Sequence, residues 1–460
     1  MKEPKKPTIP PADVIHRGTI VHTIEDPFRV PEDEAFRGHE DGGLLVDSAG
    51  RILACDDFET LRAQNRGATM EDWRGCFILP ALVDCHIHYP QTTIHAAYGE
   101  QLLDWLEVYI FPEEARFSDL DYAQQRARLF FDELIAQGTG TALIFGAHFE
   151  EATATAFKEA ARRGFRAVMG MTLGDRNLPE SLCMKPERAY EACSRLIESY
   201  HENGELLYAV TPRFVPSCSG PMLEMCRRLL EEHKTVRLQS HINENRQEIQ
   251  WVKDLHPRAP HYFGVYESYG LVGDRTILAH SVHVSEPELE QMGITDTAVA
   301  HCPNSNQFLG SGLFSMGRHL DHGIRVGLGT DVGGGPSFSM LREMEAAYKV
   351  QSLLLYGLEQ PENAVSLGGV RLLYLATLAG ARALGLEDRC GSFLPGRAAD
   401  FIVIDPSQDP IVQARIENSR HILESLFVLA ISADKRLIRE VRLAGRPARA
   451  PARDVVFGMK

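Results

Sequence analysis

Positive charge is in short supply in this chain. Among 460 residues, 48 Lys and Arg stand against 63 Asp and Glu, a formal net charge of −15. That balance argues against nucleic acid or an anionic membrane as the principal partner. Long apolar runs are missing as well, since no stretch approaches the roughly 18 residues a membrane span needs. The first residues, Met1-Lys2-Glu3-Pro4-Lys5-Lys6-Pro7, lead into proline and charge, so no secretory signal is expected. The nine cysteines, at 55, 76, 85, 183, 193, 218, 226, 302 and 390, form no Cys-x-x-Cys pair and no dense framework. Reduced thiols in a cytoplasmic protein are the expectation. Short internal repeats and low-complexity tracts are absent too. What is present is an ordinary globular composition, 44% apolar and 24% charged, in a chain longer than one usual domain.

The two ends of the chain resemble each other in style. Residues 1–75 read as short strands and turns, with strand character at 14–23 and 43–46 and a turn at Asp47-Ser48-Ala49-Gly50. Residues 387–460 repeat the style, with a turn running into an apolar strand at 401–404 and a strand and turn at 438–446. Chain termini often lie close together, so both ends are expected to build one small β-sandwich domain. The middle, 76–386, alternates helical periodicity (102–109, 124–136, 152–163) with apolar β runs. Those runs fall at 77–83, 141–145, 165–171, 207–211, 236–240, 276–279, 297–300 and 326–329. Eight such units in about 310 residues predict an α/β fold, a TIM-like (β/α)8 barrel of parallel strands, over a doubly wound sheet.

Barrel active sites lie at the C-terminal ends of the strands, and there histidines gather. The first run delivers His86 and His88, two residues apart, and positions i and i+2 of a strand share a face. The fifth run ends at His241, the sixth at His280 and the eighth at Gly329-Thr330-Asp331. One His-x-His pair is weak evidence, and a single strand-end histidine is more often a satisfied polar residue. Five such groups on one rim point to a divalent metal, with zinc the natural choice for nitrogen ligands plus a carboxylate and iron an alternative. His283 and His301 read as neighbours that hydrogen-bond or pack. His148-Phe149-Glu150 matches the His-x-Glu of cytidine-deaminase zinc sites, but the Pro-Cys-x-x-Cys partner motif is missing, which excludes that architecture.

These features together resemble the amidohydrolase superfamily: the His-x-His strand, the later His, His and Asp, and the terminal Pro395-Gly396-Arg397-Ala398-Ala399-Asp400. With no evident bridging lysine, the resemblance is to the one-metal, deaminase branch. It narrows to the guanine deaminase family on several stretches. They are Val83-Asp84-Cys85-His86-Ile87-His88-Tyr89-Pro90-Gln91, Leu103-Asp104-Trp105-Leu106, Pro212-Arg213-Phe214-Val215, His241-Ile242-Asn243-Glu244, His301-Cys302-Pro303-Asn304-Ser305-Asn306 and Thr330-Asp331-Val332-Gly333. Two positions depart from the family pattern: the 171–176 stretch, and Asn243, where a serine is expected.

The resemblance implies one zinc per chain held by His86, His88, His241, His280 and Asp331. It implies that water attacks C2 of guanine and that Glu244 shuttles the proton to the departing amine. Asp331 would be a weak ligand that also takes the water's proton, and His280 would orient the attacking oxygen. Substrate contacts would come from His88, Gln91, Arg213, Phe214, His241, Glu244 and Asp331. Arginine only donates, so Arg213 suits a carbonyl oxygen and opposes the amino group of adenine. Gln91 both donates and accepts, matching the ring N and N–H edge, and Phe214 would form an apolar wall. The resemblance also implies a homodimer. Two other readings compete: a related deaminase or chlorohydrolase acting on adenosine-like or triazine substrates, and a non-catalytic barrel scaffold.

Overall fold

The computed structural model describes residues 13–98 and 102–448; the stretch 1–7 lies outside the described residues. Eight parallel strands follow one another around a barrel: β1 (Leu82–His88), β2 (Thr139–Phe145), β3 (Arg166–Gly170), β4 (Leu206–Pro212), β5 (Arg237–Ile242), β6 (Thr276–His280), β7 (Ala298–His301) and β8 (Val326–Leu328). Backbone hydrogen bonds from Asp331 N–H to His86 O (2.8 Å) and from His88 N–H to Val332 O (3.0 Å) join the last strand to the first. The buried Asp84 carboxylate adds to that seam, accepting from Thr330 Oγ1 at 2.5 Å and Thr330 N–H at 3.1 Å.

Helices between the strands carry their apolar residues at three- and four-residue spacing towards the barrel. Leu120–Ala136 buries Ala123, Ala127, Phe130, Phe131 and Leu134. It begins four residues before the expected 124, because the Asp119 side chain caps the N–H groups of Asp121 and Tyr122. Glu150–Arg163 stops at Gly164, whose φ of 65° lies in the left-handed region glycine tolerates. The expected helix at 102–109 is a short α-turn, Leu102–Trp105, running into a π-helical turn, Leu106–Ile110. Among the described residues no helix is long and apolar enough to cross a membrane.

The chain ends meet in one seven-stranded mixed sheet, ordered Arg446–Pro447, Ile438–Leu443, Phe401–Ile404, Thr69–Pro80, Val14–Thr23, Phe36–Val46, Ile52–Asp57. The apolar run at 77–83 is therefore two strands and not one. Residues 77–80 pair with Phe401–Ile404, Ala81 N–H donates to Asp400 O, and Leu82 N–H donates to Gly138 O in the barrel. Both layers are apolar, so hydropathy alone does not reveal the change of sheet. Asp400, in the terminal motif, ion-pairs with the buried Arg166 at the start of β3 and accepts the Ala444 N–H at 2.7 Å. It ties the small sheet to the barrel's N-terminal end.

Inside the barrel, Val83, Cys85, Leu143, Val168, Leu207, Ala209, Ile277, Ala279, Ala298 and Ala300 form one cluster, plugged by Ala381, Ala383 and Leu384. This apolar floor leaves the opposite rim for chemistry.

Candidate metal centre and active-site pocket

Strand alternation alone does not bring the histidines inward. Val83 and Cys85 belong to the interior cluster, so simple alternation would turn His86 outward. The pairing of β1 with β2 shifts between Asp84 and Ile87; this bulge sends Ile87 to the outer core and His86 and His88 to the inside. Likewise Ile277 and Ala279 face inward on β6, and His280 joins them because its φ is +76°. Asp331 (+48°) and Asn243 (+51°) are also left-handed, a conformation non-glycine residues adopt at cost and mostly at functional sites. The gap beside His86 exists because residue 329 is glycine: a Cβ there would lie 2.8 Å from His86 Cβ.

The result is a tight nest. One nitrogen each from His86, His241 and His280 and one Asp331 oxygen lie within 4.8 Å of one another. His88 Nε2 is 3.3 Å from His86 Nε2, 3.2 Å from His241 Nε2 and 3.3 Å from Asp331 Oδ1, so all five expected residues meet. The outer hydrogen bonds set the tautomers. His241 Nδ1–H donates to Arg213 O at 2.5 Å and His280 Nδ1–H to Asn306 Oδ1 at 2.9 Å. In the neutral rings both Nε2 atoms are therefore bare lone pairs aimed at the nest. Burial lowers the pKa of His86, lowers that of His88 to about 4, and holds that of His241 well below its ordinary value. Burial alone would raise Asp331, but the histidines around it outweigh that and keep it ionised; Ser305 Oγ donates to its Oδ2 at 2.6 Å. Ring nitrogens and a carboxylate crowded this closely are all ligand atoms, and a cation at their centre satisfies them together. The residues fit a divalent metal.

Glu244 follows β5 with Oε2 3.5 Å from His280 Nε2. Ser311 donates to its Oε1 at 3.2 Å, and His283 Nε2 contacts the Ser311 carbonyl at 2.7 Å. Burial, then the Asp331 charge, pushes Glu244 up to about 8. Glu248, unmarked in the sequence reading, also lines the cavity and accepts the N–H of Glu244 at 3.1 Å. Leu102, Trp105, Leu106, Phe214 and Leu309 supply the apolar wall.

A second buried group, Glu114, carries no motif and was missed. Arg213 Nη1 donates to both its oxygens at 2.8 Å, Gln91 Nε2 to Oε1 at 3.0 Å, and His148 Nε2–H to Oε2 at 3.1 Å. Burial would raise Glu114, but Arg213 and His148 more than offset it and keep it well below the usual carboxylate range. Gln91 is thus partly committed: its Oε1 accepts the Gly333 N–H at 2.9 Å, so its free edge is narrower than the bare side chain suggests. His148, set aside from sequence, is part of this network. No sequence signal marks it, because the burial of the Arg213 guanidinium, which calls for a carboxylate, exists only in the folded barrel.

The two departures have local explanations. Asn243 suits its left-handed backbone better than serine, and its Nδ2 donates to Glu288 at 3.0 Å. In the 171–176 stretch, Asp175 accepts the Ser219 N–H at 2.7 Å and Arg176 donates to Val215 O at 3.0 Å, fixing the loop that carries Phe214. His301 makes no hydrogen bond through either ring nitrogen and packs on Phe314 at 4.2 Å.

A parallel barrel whose rim gathers histidines and an aspartate beside a buried glutamate defines a metal-dependent hydrolase. Residues 77–435 match the amidohydrolase family. The chain is 40% identical over 428 residues to guanine deaminase of Escherichia coli K12, covering 93% of this chain and 95% of that protein. A crystal structure of guanine deaminase from Bradyrhizobium japonicum superposes with a TM-score of 0.90 at 37% identity, covering 95% and 99% of the two chains. Guanine deaminase from C. acetobutylicum, solved with guanine in its active site, gives a TM-score of 0.87 at 28% identity, covering 95% and 99%. The chain belongs to the amidohydrolase family and, within it, to the guanine deaminases.

Proposed function

We propose that the chain hydrolyses guanine to xanthine and ammonia. The observation that carries this is Arg213 and Gln91 presented together at a pocket whose floor is the histidine–aspartate nest; the similarity to guanine deaminases supports it. His86, His88, His241, His280 and Asp331 would hold one zinc. When bound, such a metal makes a water nucleophilic near neutral pH. Arg213 donates to the guanine carbonyl oxygen, Gln91 meets the adjoining ring edge, and Phe214 and Trp105 cover the base and exclude water. Asp331 takes one proton of the attacking water, which ends on the ring nitrogen beside C2, and Glu244 takes the other. Glu244 passes it to the C2 amine, so that a C–O bond forms, the C–N bond breaks and ammonia leaves. His280 lies between the two carboxylates, 3.5 Å from Glu244 and 3.8 Å from Asp331, where it aligns the attacking oxygen. None of the nine cysteines is in a disulfide, in keeping with a cytoplasmic protein; a homodimer is proposed from the family. The test is xanthine formation from guanine, with adenine, cytosine and triazines alongside and elemental analysis of the same preparation. Turnover of a triazine or adenine in preference to guanine would replace this reading with its rival.

A further inference from the structure

We infer that Glu114 is the positioning residue for base recognition, fixing Arg213 and Gln91 in one register and cancelling the arginine's charge so that the pocket selects a neutral base. The inference rests on the guanine reading and adds to it a residue that contacts neither the metal nest nor the reacting carbon. Three separate segments converge on this one carboxylate: Gln91 after β1, His148 after β2 and Arg213 after β4. Glu114 itself sits on the turn Phe111–Ala115, 2% exposed.

Both recognition groups are tethered through one atom each. Every bond from Arg213 to Glu114 uses Nη1, so its other donors are not committed to that carboxylate. Gln91 gives Glu114 one amide hydrogen while Gly333 fixes its carbonyl, which leaves one N–H and one lone pair in a defined orientation. A guanidinium on a flexible stem would otherwise sample many rotamers, and a specific contact needs it in one.

The charge argument is separate. Arg213 is 3% exposed, and a lone buried cation would draw anionic ligands strongly. Paired with Glu114, the couple is neutral, and the pocket offers guanine a donor without offering an anion a counter-charge. Xanthine is more acidic than guanine. A compensated arginine therefore also limits how firmly the product's anion is retained.

The test uses the metal-loaded full chain, comparing wild type with Glu114→Gln and Glu114→Asp. Guanine kcat and KM are measured together with inhibition by xanthine and by hypoxanthine in mildly alkaline buffer, where xanthine is largely anionic and hypoxanthine neutral. Metal content and melting temperature are followed in parallel. For Glu114→Gln the expectation is retained metal and a fall in guanine kcat/KM of about 10². Xanthine inhibition should strengthen about tenfold relative to hypoxanthine. Glu114→Asp keeps the charge but shortens the reach, so kcat/KM should fall while the xanthine-to-hypoxanthine ratio stays at the wild-type value. Wild-type guanine turnover in Glu114→Asp would overturn the positioning role. Equal weakening of both inhibitors in Glu114→Gln would reduce the residue to a structural one. If wild type made no xanthine from guanine, the guanine reading would fall and this inference with it; an active wild type with an unmoved inhibitor ratio overturns the inference alone.

Discussion

Glu244→Gln separates proton transfer from everything else the site does. Glutamine keeps the size of glutamate and its hydrogen-bonding reach, while Glu244 itself is pushed up to about 8, into the range where a carboxyl can both take and return a proton near neutral pH. The amide can still accept from Ser311, and the N–H of residue 244 still reaches Glu248. No ligand of the nest is touched, so metal content and melting temperature should match wild type. What is lost is a group that can take a proton and return it. General acid–base catalysis contributes about 10²–10⁴, which at about 1.36 kcal/mol per decade amounts to roughly 3–5 kcal/mol of barrier. Single-turnover measurement of xanthine formation isolates the chemical step from product release. Turnover within a few-fold of wild type would refute the assignment and move the shuttle to Asp331.

Arg213→Leu should keep the metal and lose guanine kcat/KM by a factor on the order of 10⁴; unchanged turnover would make Arg213 purely structural. Gly329→Ala places a methyl 2.8 Å from His86 Cβ and should lower metal content and cut activity at least about tenfold, both read on one sample by elemental analysis and assay. Asp400→Ala removes one of the two carboxylates paired with the buried Arg166 and leaves it Glu205 at 2.7 Å, so it should cost about 1–3 kcal/mol in urea unfolding without changing KM in the folded protein. His22 is buried in the small sheet, accepts the Phe393 N–H at 3.3 Å, and is lowered from 6.5 to about 3 by burial and then by His39 and Arg397. The unfolded chain binds that proton more readily, so this contribution is complete above pH 6.5 and is lost towards pH 3 at about 1.4 kcal/mol per unit. His22→Asn should flatten the acid limb of the stability curve, and an unaltered limb would contradict the neutral buried ring.

The five groups of the nest were legible in the sequence because their chemistry is carried by residue type at strand ends, and strand ends follow from hydropathy. Arg213, Phe214 and Glu244 were singled out by the family resemblance, and all three line the pocket. The order of eight β runs likewise settled the barrel, since parallel strands joined by helices close in few ways. Tertiary structure alone decided the rest. Hydropathy treats Phe77 and Val83 alike, while only strand pairing shows that the chain changes sheets at Ala81. Periodicity of two would have pointed His86 and Cys85 to opposite faces; the bulge in β1 and the left-handed backbone of His280 override it. Glu114 had no motif because its meaning is its neighbours, and Gln91, His148 and Arg213 are 23, 34 and 99 residues away in the chain. A buried carboxylate is specified by the charges and donors around it, and those are assembled only when the barrel closes.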